Sequence, residues 1–452
     1  MPKSTPFLVD SNQSWSEFLR LDALDLALDG VRFIRRHDAA STLFVAATPK
    51  SWSPRCPHCG CEGVFRRHKI RRVVDIPCNQ DQVRLELKVP VLLCVNQLCT
   101  SNTFTPAIAA AARNVTYSTR CGEYIVGQLR SNMSIKTIAA TMGLTWHTVN
   151  TIAKDTAATL RDMLARTPRV VRCLAVDEHC WRHKRRDKKG CYQERFNTVI
   201  YDITGPTDGT GPAVIIAIEQ GRSQKAFARW IRRQEPEFLQ EIEVVSMDGF
   251  NAYAKAVREN IPHAVVSMDP FHVAKLYSEA LDRFRRSEHQ RIYGHRGRKG
   301  EGLFPLRRVL LANKKTLSFR ARWKLDKALK EQENGAVFAT LRHALCWCTA
   351  AYAAPDSSDG QAIMEKLMDW LNNAHNAQHP ALKTLRTTMN RRRDDILAHF
   401  TTGVSNGPAE SLNARIKCLR RIGHGFRNSH NYEYRIFLQS GPRLATHTAQ
   451  GS

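Results

Sequence analysis

No stretch of this 452-residue chain approaches the roughly 18–20 consecutive apolar residues of a membrane-spanning helix. The opening run MPKSTPFLVDSNQSWSEFL lacks the basic-then-apolar layout of a secretory leader, so a cytoplasmic protein is expected. A disulfide framework is missing too. Thirteen cysteines, an odd number scattered along the chain, fit a reducing compartment. No internal period marks a repeat protein: VVSMDGF at 244–250 and VVSMDPF at 265–271 are too short for one. Acid is scarce. Against 68 Lys and Arg stand 42 Asp and Glu, a formal net charge of +26. That excess points to a polyanionic partner, most often nucleic acid. Hydrophobic content of 42% is ordinary for a globular chain of this length, which has room for two to four domains.

What is present begins with cysteine pairs. The first fifty residues carry no usable motif, but Cys56 and Cys59 form a CxxC, and Cys94 and Cys99 form a second pair with four residues between. Such pairs set thiolates on tight turns facing one tetrahedral Zn2+. Cys61, His58 and His68 are rivals for a ligand position. Between the pairs, Val83, Leu85, Leu87 and Val89 alternate with polar residues, a strand of period two. The spacing predicts a zinc ribbon, two knuckles joined by a small antiparallel sheet and held together by the metal. Downstream, Ile135, Ile138, Ala139 and Met142 line one helix face. Gly143 makes a turn, Leu144 plugs it, and Thr145 caps a second helix buried through Val149, Ile152 and Ala153. This is helix-turn-helix spacing. It leaves Trp146, His147, Asn150, Thr151 and Lys154 for a DNA major groove.

From about 170 strands and helices alternate: VVRCLAVDEHCW, RFNTVIYDIT and PAVIIAIEQ, then helical SQKAFARWIRR, the strand EIEVVSMDGF, helical NAYAKAVREN and the strand HAVVSMDPF. Three strands, helix, strand, helix, strand make a mixed α/β sheet. The first strand is expected to end at Asp177, the fourth at Asp248 and the fifth at Asp269. Residues 276–404 read as an all-helical insertion rich in Arg and Lys. A late helix follows, with Leu412, Ile416 and Leu419 buried and Glu410, Asn413 and Lys417 sharing another face. Two strand-end aspartates and a helical glutamate can build a site for two divalent cations, the arrangement phosphodiester chemistry often uses.

Taken together, the CPHC…LLCVNQLC pairs, the AVDE strand, SMDGFNAY, DPFHV and NGPAESLNARIKCLRRIGHGFRN resemble the ISL3 family of insertion-sequence transposases. The resemblance runs from about position 50 to 440. It implies an RNase H-like catalytic domain of the DDE class, interrupted by a helical insertion, with Asp177, Asp248 and Glu410 as the catalytic acids on two Mg2+ (or Mn2+) ions. It also implies that strand four lies beside strand one and strand five one place further out. Asp269 would then support the site or anchor the turn after it, and His272 would orient a neighbouring group or simply pack. Lys417, Arg420 and Arg421 would meet DNA phosphates or form a solvated face. The expected layout is an N-terminal segment 1–50, a zinc ribbon 51–110, a helix-turn-helix 111–165, and a catalytic domain 166–275 and 405–452 around the insertion 276–404. The implied partner is double-stranded DNA at transposon ends and target, bound by a homodimer or larger assembly in the nucleoid. The alternatives are a transposase-like DNA-binding regulator without cleavage activity, which loss of a catalytic acid would favour, and another RNase H-like nuclease such as a resolvase.

Overall fold

A computed structural model describes residues 12–34, 41–166, 169–183, 186, 190, 194–298, 300–301, 303–312, 316–373, 376, 380–426 and 428–440. The chain divides into two compact units, Met1–Arg166 with Ile416–Ser452, and Thr167–Arg415.

In the first unit a helix α1 (Asn12–Phe18) precedes five strands: β1 (Leu26–Ile34), β2 (Thr42–Pro49), β3 (Gly63–Cys78), β4 (Asp81–Cys94) and β5 (Thr103–Phe104). They form one sheet in the order β1-β2-β4-β3, with β5 added to β4. β3 and β4 are a long antiparallel hairpin. Its two-residue loop, Asn79-Gln80, has positive φ at both positions (48° and 72°), the backbone that matches strand twist at a tight hairpin. The predicted alternation holds: Val83, Leu85, Leu87 and Val89 are buried. They pack with Leu26, Leu43, Val45, Ala47 and Val73.

Two expectations change here. Residues 26–49 supply two strands of this sheet, so a boundary at residue 50 would cut through it. β2 alternates cleanly between buried and half-buried positions, but it pairs in parallel with β4, some forty residues away. Local reading does not find such a partner. The sheet also has a substantial core of its own, separate from the small cluster of Leu92 and Phe104 around the four thiols.

Three helices follow: α2 (Thr119–Arg130), α3 (Ile135–Met142) and α4 (Trp146–Arg166). Ser118 and Ser134 cap α2 and α3. Thr145 Oγ1 accepts from the Thr148 amide at 3.1 Å to cap α4. Gly143 ends α3 with φ +62°, a left-handed backbone that strains any other residue; a Cβ there would also press on the flexible ends of Gln82 and Arg84. Ile138, Ala139, Met142, Val149, Ile152 and Ala153 form the shared core.

The second unit holds strands β6 (Cys173–Cys180), β7 (Phe196–Asp202), β8 (Val214–Gln220), β9 (Val244–Met247) and β10 (Val265–Met268). Their order is β10-β9-β6-β7-β8. β9 lies parallel beside β6 and β10 parallel beside β9, while β7 and β8 are antiparallel. Five helices alternate with these strands or follow them: α5 (Thr204–Asp208), α6 (Gln224–Ile231), α7 (Pro236–Gln240), α8 (Asn251–Asn260) and α9 (Pro270–Tyr293). α6 and α8 cover one sheet face through Phe227, Trp230, Ile231, Tyr253 and Val257. Then come α10 (Arg307–Leu311), α11 (Phe319–Lys330), α12 (Gly335–Tyr352), α13 (Ser357–Asn372), α14 (Pro380–Arg391) and α15 (Arg393–Thr402). With α9 they build a second apolar core around Tyr277, Phe338, Leu345, Met368 and Met389. No strand interrupts them among the described residues.

Two last helices are α16 (Gly407–Ile422) and α17 (Ser429–Ser440). The division between units falls within α16. α17 belongs to the first unit rather than to the catalytic part expected for 405–452, and its Leu438 packs in the core of α2–α4.

Candidate active site and metal centre

β9 is the shorter partner of β6. Its parallel pairing ends at Val176↔Met247, while the antiparallel pairing of β6 with β7 continues to Cys180↔Phe196. Asp177 and Asp248 are therefore the first residues past the parallel ladder on two adjacent strands. Asp177 is not the end of its strand, as the sequence suggested, because β7 carries β6 three residues further. Asp177 Oδ1 accepts from the Glu178 amide at 2.7 Å. Asp248 Oδ1 accepts from the Phe250 amide at 2.9 Å, which fixes the turn into α8.

A residue that sequence reasoning gave no role completes this pair. Asn413 Nδ2 donates to Asp177 Oδ2. Tyr201 Oη, buried on β7, donates to Asn413 Oδ1 at 2.8 Å. The tyrosine turns the amide so that its NH2 faces the aspartate. Asn413 lies three positions after Glu410 on α16, and that spacing was the available signal.

Burial pushes the Asp177 carboxyl above the ordinary range, and the charge of Asp248 adds to the rise against hydrogen bonds from Glu178 and Asn413. Glu178, missed from sequence, is pushed up to about 7 by burial and by Asp248 and Asp177, despite its ion pair with Arg222. Burial first, and neighbouring negative charge second, raise these carboxyls. An oxygen-only donor set of this kind fits Mg2+ or Mn2+.

Asp269 stands on the strand outside β9 and is 3% exposed. Its carboxylate caps α9, accepting from the His272 amide at 3.3 Å and from His272 Nδ1 at 3.0 Å. It also accepts from the Asn406 amide at 3.0 Å. Pro270 is the first residue of α9, where a missing N–H costs nothing. These bonds outweigh burial and hold Asp269 below the usual carboxylate range. The same hydrogen bond raises His272. Ligand atoms of Asp269, His272 and Glu410 lie within 4.8 Å of one another. The structure thus gathers Glu410 with the Asp269–His272 pair, and its helix neighbour Asn413 with Asp177.

In the first unit, Cys56, Cys59, Cys94 and Cys99 converge, with their sulfurs within 4.8 Å of one another. Cys56–Cys99 and Cys59–Cys94 are 3.8 and 3.5 Å apart. A tetrahedron with Zn–S bonds of about 2.3 Å has edges of about 3.8 Å, so the donor set fits zinc. Cys61 lies outside the set, its sulfur 4.0 Å from the Cys59 carbonyl. A backbone bond from Cys61, helped by the other thiols, holds Cys59 down at about 6. Against a favourable backbone bond from Asn96, burial and the neighbouring thiols push Cys94 up to about 12.

Of the five groups expected at a DNA groove, Trp146, His147, Thr151 and Lys154 are exposed on α4 and Asn150 is half-buried. Lys154 Nζ sits 5.8 Å over the Tyr434 ring. Lys417 and Arg421 are exposed on α16 and Arg420 is half-buried. Among the described residues, no helix is long and apolar enough to cross a membrane.

Comparison with known proteins gives the family of the chain. Residues 174–436 match a family profile of the ISL3 type described as Transposase. The transposase for insertion sequence element IS1001 of Bordetella parapertussis is 25% identical over 413 residues, covering 88% of this chain and 92% of the relative. The transposase for IS1557 of Mycobacterium tuberculosis is 25% identical over 423 residues, covering 89% and 87%. Among solved structures, the Drosophila P element transposase strand transfer complex aligns with a TM-score of 0.37 and 9% identity, over 73% of this chain and 93% of that one. With its match spanning more than half of the sequence, this chain belongs to the ISL3 family of insertion-sequence transposases.

Proposed function

We propose that this transposase binds the terminal inverted repeats of its own insertion sequence and catalyses DNA strand cleavage and strand transfer with Asp177, Asp248 and Glu410. The observation that carries the reading is the pairing of Asp177 and Asp248 past the end of one parallel ladder, with Asn413 tying the Glu410 helix to Asp177. The strand order β10-β9-β6-β7-β8 supports an RNase H-like catalytic domain. When bound there, two divalent cations supply charge neutralisation at the scissile phosphate and activation of the attacking oxygen. The protein's part is to hold the acids. Asn413, itself oriented by Tyr201, fixes Asp177; the Phe250 amide fixes Asp248; the Asp269–His272 pair adjoins Glu410 and steadies the start of α9.

The chemistry is two in-line displacements. Hydrolysis breaks a phosphodiester at the transposon end and frees a 3′-hydroxyl. That hydroxyl then forms a new phosphodiester with target DNA as the target's own bond breaks. No Ser or Tyr nucleophile is required. The zinc-ribbon and helix-turn-helix modules recognise double-stranded terminal DNA, with Trp146, His147, Asn150, Thr151 and Lys154 toward the groove and Lys417, Arg420 and Arg421 toward phosphates. The enzyme works in the prokaryotic cytoplasm on nucleoid DNA, as a homodimer or larger assembly.

The test is to incubate purified protein and Mg2+ with duplexes of its element's ends and look for nicks. Asp248→Asn should abolish cleavage and leave binding intact, whereas Asp269→Asn should retain measurable cleavage. A dead Asp269→Asn beside an active Asp248→Asn would overturn the assignment.

A further inference from the structure

β3 is an edge strand of its sheet, and its first half is unlike the rest. An ordinary edge strand buries one face. Here every residue from Val64 to Ile70 is exposed, so both faces meet solvent. The stretch reads VFRRHKI and continues into Arg71 and Arg72, with no acid from Gly63 to Val74. The register skips between Phe65 and Arg67, leaving Arg66 as the extra residue of a bulge. A bulge bends the strand and re-aims side chains.

Several other cations on or beside this sheet are used internally. Arg32 and Arg72 pair with Glu86. Arg71 donates to the carbonyls of Ala111 and Val115 at 3.2 and 2.8 Å. Arg120 pairs with buried Asp75. Arg66, Arg67 and Lys69 are different: among the described residues their side chains make no ion pair or hydrogen bond. Exposed Phe65 lies beside them against the His68 ring, with centroids 4.8 Å apart and planes tilted by 54°. The base of the arm is fixed, because Gly63 pairs with Cys94 of the four-cysteine cluster.

We propose that the β3 arm, residues 64–70, is a second DNA-binding surface that tracks the phosphate backbone of a duplex through Arg66, Arg67 and Lys69. The proposal rests on the transposase reading for its choice of DNA as the polyanion. Three cations with no partner among the described residues, on a doubly exposed strand, offer charge without sequence-reading geometry. They should therefore add affinity for any duplex and leave preference for terminal DNA unchanged.

The experiment measures binding of full-length protein to a terminal duplex and to an unrelated duplex of equal length, from about 50 to 200 mM salt. Neutralising a phosphate contributes roughly 0.9 to the slope of log K against log salt. The variant Arg66→Ala/Arg67→Ala/Lys69→Ala should lower that slope by about 2 to 3 on both duplexes, with zinc content and terminal preference unchanged. Arg66→Lys/Arg67→Lys should keep the wild-type slope. A wild-type slope in the alanine variant with zinc retained would overturn the proposal. So would wild-type binding accompanied by new self-association, since the cations would then only guard a sheet edge. If the wild-type chain binds neither duplex, the transposase reading fails together with the arm. If it binds and only the alanine variant is indistinguishable, the arm alone fails.

Discussion

Asp177 and Asp248 set like charges on neighbouring strands, and the cost of that arrangement can be measured. A carboxyl whose folded pKa exceeds its unfolded value contributes stability that is complete below the unfolded value and is lost as pH rises through the folded one. Glu178 rises from 4.5 to about 7, so its contribution fades across that window. Asp177 is raised as well, and His272, raised above 6.5 by Asp269, loses its contribution in the same direction. Asp269 is lowered and matters only in acid. Cation-free protein should therefore lose stability between pH 5 and 8. Burial is the larger cause of that loss, so Asp248→Asn, which removes the like charge, should reduce it in part and gain about 1 kcal/mol at pH 8. Melts at the two pH values would measure it, and equal pH dependence in both proteins would contradict the account. Asn413 acts beside this pair as a positioning residue. Asn413→Ala should lower cleavage by about 10- to 100-fold and raise the Mg2+ requirement, with DNA affinity unchanged. A Mg2+ titration of cleavage checks it; loss of DNA binding alongside would point to a structural role instead.

At the scale of elements, the capped turn between α3 and α4 is built as the sequence predicts. Gly143 and Thr145 both act locally, and local chemistry is what a sequence displays most directly. The exposed face of α4 then leads to a separable prediction. Asn150→Ala should change preference among DNA sequences. Lys154→Ala should instead lower the salt slope by about 1 across all of them. Binding by both variants that matches wild type across salt would make α3–α4 a structural hairpin only. The elements that escaped local reading have remote partners. β1 and β2 carry strand-like alternation, but their place in the sheet depends on the parallel pairing of β2 with β4. α17 looks like an appendage to α16, yet its Leu438 belongs to a core whose other members lie some three hundred residues earlier.

For the molecule as a whole, the thiol cluster and the carboxylate cluster lie in different compact units, so loss of a metal proposed at one should be separable from loss at the other. Cys56→Ser/Cys59→Ser should release zinc and weaken binding to terminal DNA. It should not unfold the sheet, because Leu26, Val45, Leu85 and Leu87 form its core without the metal. A thermal shift on adding Mg2+, expected of the wild-type protein, should survive. Metal analysis, circular dichroism and melts with and without Mg2+ would check this, and wild-type protein without zinc would refute the site. The sequence by itself determined the four thiols, the α3–α4 cap and turn, the alternation of strand and helix, and the acids Asp177, Asp248 and Glu410 as a candidate set. The paired thiols, the cap and turn, and the strand–helix alternation rest on side-chain type and short spacing, which chain geometry translates directly; the acid set rests on the family resemblance. Only the tertiary structure decided that Asn413 holds Asp177, that Glu410 gathers with Asp269 and His272, and that Cys61 stands outside the thiol cluster. Those relations join residues up to 236 positions apart. They depend on strand order and on the rotation of α16, which are set by burial of whole faces rather than by any local pattern.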